Sequence, residues 1–265
     1  MKNLLFSVML LFAISLNAQD RLFTYTYQSS VLNKGQKEIE IWTTMMNSRE
    51  KFYRAFDHSL EFEVGLGSKI QTSFYLNYGY SKAIVNTNNQ ESIENSNSNS
   101  FSNEWKLKMT DPVIHPFGSA LYFEYTLATD EVEIESKLIF DKQIGKTVQA
   151  FNIVGEFAYI KEFESKGALI EIKKEKEFNF ELNYAIAYKV NSNLSLGLEF
   201  FNKNQYVSNG LIFSVFSAGP SLSYNFEGFW VNLSCLPQIT DFKTGKQELL
   251  NNEKIQTRLI FSYVL

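Results

Sequence analysis

The 265-residue chain has one cysteine, four prolines and two histidines. A lone thiol, Cys235, excludes an intramolecular disulfide framework. Four prolines is far below the usual ~5% share, so the chain has few obligatory breaks in regular structure. Long apolar runs are missing too. A polytopic helical membrane protein needs several runs of about 18 apolar residues, and the one long uncharged apolar run lies at the extreme N-terminus. A net charge of -4 gives no basic footprint for nucleic acid. What is abundant is aromatic: 24 Phe, 14 Tyr and 3 Trp, 15% of the chain, which excludes a disordered polymer.

The N-terminal run reads as a secretory signal over residues 1–18. Lys2 supplies the positive start, residues 4–16 the apolar stretch, and Ala18 a small residue before polar Gln19 and Asp20. Thirteen residues span only about 20 Å as a helix, too short for a ~30 Å hydrocarbon core. The expected mature chain is one domain, residues 19–265, exported into the periplasm.

Beyond the signal the period is two. Phe178, Phe180, Leu182, Tyr184, Ile186 and Tyr188 alternate with Glu177, Asn179, Glu181, Asn183, Ala185, Ala187 and Lys189. The stretches Leu121–Leu127, Leu194–Phe200 and Leu259–Leu265 repeat the alternation. This is the pattern of a strand with one apolar face. Twelve strands are expected, at about 37–47, 54–65, 69–83, 101–110, 117–128, 131–141, 147–160, 176–189, 193–203, 213–226, 228–239 and 254–265. Ten to fourteen strands fit the same pattern. Long polar connections (86–100, 161–175, 240–253) tend to fall on one side and short turns (65–68, 141–146, 191–192, 227–228) on the other, the first connection and the Thr129-Asp130 turn being short for the long side. That sorting, with charged residues on one face and Phe, Tyr and Leu on the other, fits an all-β, closed antiparallel transmembrane barrel better than a secreted sandwich. Lipid cannot satisfy free backbone groups, so strands cross it only in closed barrels. Tyr78, Tyr80, Tyr159, Tyr188, Phe226, Phe229 and Tyr263 are placed for interface girdles. Pro220 and Pro237 resist the pattern, because a closed barrel has no free edge for proline. A bulge at Gly219-Pro220 and a site above the membrane for Pro237 are the expected resolutions.

If the apolar face meets lipid, the other lines the lumen. The acidic residues assigned there are Glu38, Glu40, Asp57, Glu61, Glu63, Glu104, Glu124, Glu131, Glu133, Glu135, Glu156, Glu177, Glu181 and Glu199. The basic ones are Lys106, Lys108, Lys137, Lys189 and Arg258. So many carboxylates need compensating charge. The segment 19–35, with Arg21 and Lys34 and next to Lys37, is in position to tuck into the barrel and supply it. Twelve strands lie between barrels filled by side chains and barrels with an open channel. An open lumen of this kind would prefer cationic solutes; the opposite expectation is a closed interior stiffened by ion pairs.

Catalytic constellations are weak, and no catalytic residue, metal site or cofactor is assigned. His58 falls on the lipid face, but Leu60 holds the position where an outer-membrane phospholipase pattern needs Ser. Asp57 and His58 are adjacent on a strand and point opposite ways. His115 has no second His or Cys at ligand spacing, and Gly65-Leu66-Gly67 lacks the third glycine and following helix of a dinucleotide loop. Cys235 is expected to face lipid as a small apolar group.

Several segments resemble uncharacterised, porin-like outer-membrane barrel families of Gram-negative bacteria, of the Bacteroidota type. They are Gly35-Gln36-Lys37-Glu38-Ile39-Glu40, Leu60 through Gly67, and Asp111-Pro112 through Pro116-Phe117-Gly118 ahead of a strand with Glu124. The end of the chain, with Phe261, Tyr263 and terminal Leu265, resembles the signal read by the barrel-assembly machinery, Leu265 standing where Phe is usual. The resemblance implies an outer-membrane barrel among lipid and lipopolysaccharide, and carries over no functional residue. The expectation is a narrow passive channel or porter for small solutes. A lipid- or lipopolysaccharide-modifying enzyme and a surface-interaction barrel using residues 86–100 are the alternatives.

Overall fold

Alternation along each strand is the physical origin of the fold. In β1 (Lys37–Asn47) the buried side chains are Glu38, Glu40, Trp42 and Thr44, while Ile41 between them is 51% exposed. The even side chains point into the barrel and the odd ones out. The computed structural model describes residues 21–87, 90–166 and 169–265, and the signal assigned to residues 1–18 lies outside them. After β1 come β2 (Tyr53–Gly65), β3 (Ile70–Thr87), β4 (Gln90–Thr110), β5 (Gly118–Ala128) and β6 (Glu131–Ile144). Then follow β7 (Thr147–Lys166), β8 (Leu169–Lys189), β9 (Leu194–Val207), β10 (Gly210–Phe226), β11 (Phe229–Asp241) and β12 (Ile255–Val264).

All twelve strands pair antiparallel with their neighbours in sequence, and β12 closes on β1 from Glu38↔Val264 to Asn47↔Ile255. The Leu265 N–H donates to the Lys37 carbonyl at 2.9 Å, completing the seam. Phe261, Tyr263 and Leu265 all point outward and are exposed. The outer wall is a belt of large apolar side chains that includes Leu60, Leu76, Phe123, Ile134, Leu198 and Leu233. A soluble surface does not carry a continuous belt of that kind. At one rim Phe226 stacks on Phe229 with centroids 4.9 Å apart, and Phe229 contacts Phe261.

The strand bounds differ from expectation at the far rim, opposite the N-terminal segment. Residues expected as polar loops, 86–100 and 161–175, instead continue the ladders. Tyr80 pairs with Asn97 and Thr87 with Gln90 across β3 and β4; Lys161 pairs with Lys174 and Lys166 with Leu169 across β7 and β8. Asn and Ser have low β propensity, and above the apolar belt both faces meet water, so the alternation signal vanishes while backbone pairing continues. The connection after β11, residues 242–254, does remain a loop.

Both awkward prolines are accommodated. The β10–β11 register shifts between Phe216 and Ser217, then runs from Ser217↔Gln238 to Ser221↔Ser234 past Pro220. Gly219 is required there, because a Cβ would stand 1.9 Å from the Cys235 carbonyl oxygen. Pro237 lies in β11 beside Ile255, near the far end of the strand. Cys235 lies on the outward parity of β11.

Candidate functional site

The lumen is divided into a filled half and an open half. Residues 21–32 fold into the barrel at the rim where β1 begins, burying Leu22, Phe23, Thr24, Thr26, Ser29 and Leu32. Wall side chains hold this segment by its backbone. The Glu199 carboxylate accepts the N–H of Thr24 (2.9 Å) with one oxygen and those of Tyr25 (2.8 Å) and Thr26 (3.1 Å) with the other. Asn152 both accepts the Tyr27 N–H (2.6 Å) and donates to the Tyr27 carbonyl (2.9 Å). Asp141 accepts the Ser29 N–H, Gln71 the Leu32 N–H, and Asn232 donates to the Arg21 carbonyl. These contacts replace the ladder bonds that an irregular buried segment lacks.

Arg21 supplies charge. Its guanidinium lies between the rings of Tyr27 (4.3 Å) and Trp42 (4.5 Å) and 3.7 Å from Glu40. Lys34 and Lys37, the other cations expected to compensate the lumen, are exposed instead, because the chain turns out of the barrel at Asn33 to Gln36.

Strand register lines up the acidic residues. Following Cα partners around the wall, Glu38 pairs with Glu63, Glu63 with Ser73, Ser73 with Glu104, Glu104 with Glu124, Glu124 with Glu135, and Glu135 with Glu156. The strands tilt, so the row climbs. It starts one residue from the near end of β1 and, through Asn179, reaches Gln205 close to the far end of β9. A neighbouring row carries Glu40, Glu61, Tyr75, Ser102, Thr126, Glu133, Ala158 and Glu177. On the other side runs a row with Lys106, Tyr122, Lys137, Val154, Glu181 and Lys203. Lys137 reaches from this row to Glu135 at 2.9 Å.

The lower acids are deeply buried: Glu38, Glu40, Glu61, Glu63 and Glu104 are at most 3% exposed. Aromatic donors reach several of them. The indole N–H of Trp42 donates to Glu40 and that of Trp230 to Glu38, each at 2.7 Å. The phenols of Tyr75 and Tyr122 donate to Glu104 and Glu124. The upper acids, Asp57, Glu124, Glu133, Glu135, Glu156, Glu177 and Glu181, line a cavity of about 700 Å³ above the N-terminal segment. Tyr25, Tyr27, Trp42 and Phe201 add aromatic surface, and Lys137, Lys203 and Arg258 bring positive charge. The 242–254 loop folds back over this cavity, contributing Asn251, Asn252 and Glu253, and Arg49 meets Glu253 at 3.6 Å.

The remaining assigned residues lie elsewhere. Glu131 is half-buried at the far end of β6. Lys108 and Lys189 stand on the near rim, where Lys108 meets Asp111 at 3.2 Å and Lys189 donates to Gln143. Lys106 is buried beneath the cavity. Sequence reading missed Arg21 as an aromatic-clamped cation and missed Lys203 altogether. Lys203 continues the inward parity of Ser195, Gly197 and Glu199, but Phe201 interrupts the polar pattern just before it. The histidines stay peripheral. His58 is exposed on the outer wall, bonded to Thr43 at 3.0 Å, while Ser59 faces the cavity on the opposite side. His115 contacts the Asp111 backbone in the turn after β4.

The fold is shared with outer-membrane proteins of known structure. An outer-membrane channel from Pseudomonas putida F1 superposes with a TM-score of 0.61 at 7% identity, over 92% of this chain and all of that one. The NanC porin gives 0.54 at 8% identity, over 86% and 100%. The beta domain of the Bordetella autotransporter BrkA gives 0.58 at 8% identity, over 88% and 100%. Identities this low speak for the barrel alone. No curated protein matches the sequence. One family model does match, over residues 15–265, and the chain therefore belongs to the family of unknown function DUF6662.

Proposed function

We propose that the protein is an outer-membrane channel or porter that draws small cationic solutes into an acid-lined vestibule from the cell exterior and passes them when the N-terminal segment yields. The observation that carries this reading is the climbing row from Glu38 to Glu156, which joins the buried base of the barrel to the open cavity. Carboxylates fixed in a narrow, poorly solvated lumen favour cations and repel anions. The ring faces of Tyr25, Tyr27 and Trp42 are taken by Arg21, Lys137 and Arg258, so the carboxylates carry the attraction. The apolar belt and the aromatic rim support a barrel seated in lipid, with both chain ends on the periplasmic side and the 242–254 loop outside. The likeness to a Pseudomonas outer-membrane channel and to the NanC porin supports the class, not the solute.

Liposome swelling with solutes graded by charge and size tests the reading. Proteoliposomes are expected to swell faster in small organic cations than in neutral solutes of equal size, and slowest in anions. Equal rates for all three, or fastest entry of anions, overturn it.

A further inference from the structure

Below the cavity, β2 brings Glu61 opposite Glu40 and Glu63 opposite Glu38, like charges directly across the strands. Glu104 enters from β4. Oxygens of Glu61, Glu63 and Glu104 lie within 4.8 Å of one another, and so do those of Glu38, Glu40 and Glu63. The ion pair that reaches this group is Arg21 on Glu40. Among the described residues, Glu61, Glu63 and Glu104 have none.

A second observation concerns the individual oxygens. Glu61 is fully buried, and neither of its carboxylate oxygens has a hydrogen-bond partner. Its neighbours are each half-satisfied. Gln71 and Ser73 donate to one oxygen of Glu63, and Tyr75 to one oxygen of Glu104, while Glu63 Oε2 and Glu104 Oε1 have no partner. A buried carboxyl group with no donor either takes up a proton or meets a compensating cation. One oxygen of each neighbour is fixed by the wall, and the other is available to a ligand shared with Glu61.

We propose that Glu61, Glu63 and Glu104 bind a hard divalent cation of the Ca²⁺ class, with Glu38 and Glu40 completing its acidic surroundings. An all-carboxylate donor set selects hard ions over zinc or copper. Ca²⁺ holds oxygens at about 2.3–2.6 Å, so two ligands on opposite sides of it stand about 5 Å apart, which suits this cluster; Mg²⁺ at about 2.1 Å demands a tighter cage. The ion would tie β1, β2 and β4 together beside Arg21, at the base of the N-terminal segment. This site is independent of conduction, since binding is read on the folded protein alone.

Tb³⁺ serves as the probe for the purified barrel in detergent micelles. Trp42 and Trp230, bonded to Glu40 and Glu38, are positioned to sensitise its emission. Saturable emission is expected, displaced by Ca²⁺ at lower concentration than by Mg²⁺. Glu61→Gln should weaken it at least tenfold, while Glu227→Gln in the exposed turn between β10 and β11 leaves it intact. A parallel melt should show wild-type Tm falling by several degrees with a chelator and returning with Ca²⁺; this arm decides if the Glu61 variant does not fold. No saturable emission, emission undiminished in the Glu61 variant, or a Tm indifferent to chelation overturns the proposal.

Discussion

Glu199 shows how one side chain sets the state of the lumen. A single carboxylate accepts three consecutive backbone amides and the Thr24 hydroxyl. Hydrogen bonds to a charged acceptor contribute roughly 1.5–3 kcal/mol each, and unsatisfied buried amides cost a similar amount. In Glu199→Ala the segment escapes that penalty by leaving its seat. The expected shift is about 3 kcal/mol toward release, close to a hundredfold. Hydrogen exchange should therefore accelerate at Thr24 to Thr26 while protection in β5 to β8 is unchanged. Uniform loss of protection would mean that Glu199 holds the barrel rather than the segment. Parity alone assigns Glu38, Glu40 and Glu61 to one face, and all three are buried. The partners of those residues were not legible, because Glu199 and Thr24 lie 175 positions apart and nothing local announces their contact.

At the scale of elements, the strands were readable wherever one face is apolar, as in β8 and β12. They were misread where both faces are wet, as in the Asn- and Ser-rich part of β4. The turn between β4 and β5 carries a titratable anchor. Asp111 is held below the usual carboxylate range, first by the Val113 N–H and then by Lys108. Its folded pKa lies below its unfolded one, so its contribution is present above the unfolded pKa of about 4 and fades as pH falls through the folded value. About a third of the Asp111 side chain is exposed (35%), so solvent screens the interaction and the effect is small. Asp111→Asn should lower stability slightly at pH 7 in urea unfolding, with the difference closing below about pH 4. A difference that grows in acid would refute this account of the turn.

The molecule as a whole is organised by register, and register is where the sequence is silent. Parity places Glu38, Glu63, Glu104, Glu124, Glu135 and Glu156 inside, but only the offsets between strands bring them onto one climbing row. Those offsets depend on turn geometry and on the register shift between Phe216 and Ser217, and a one-residue slip would turn a whole strand inside out. The mean hydropathy of -0.19 and the modest net charge average over two opposed faces, which hid an acidic interior behind a lipid-compatible wall. The central claim is that this acidic lumen selects cations once the N-terminal segment is released. Its most direct test is the reversal potential of the Glu199→Ala barrel in a planar bilayer under a KCl gradient, beside wild type. The account predicts larger conductance in the variant and a reversal potential of the sign set by K⁺. Conductance no greater than wild type, or a reversal potential set by Cl⁻, would contradict it.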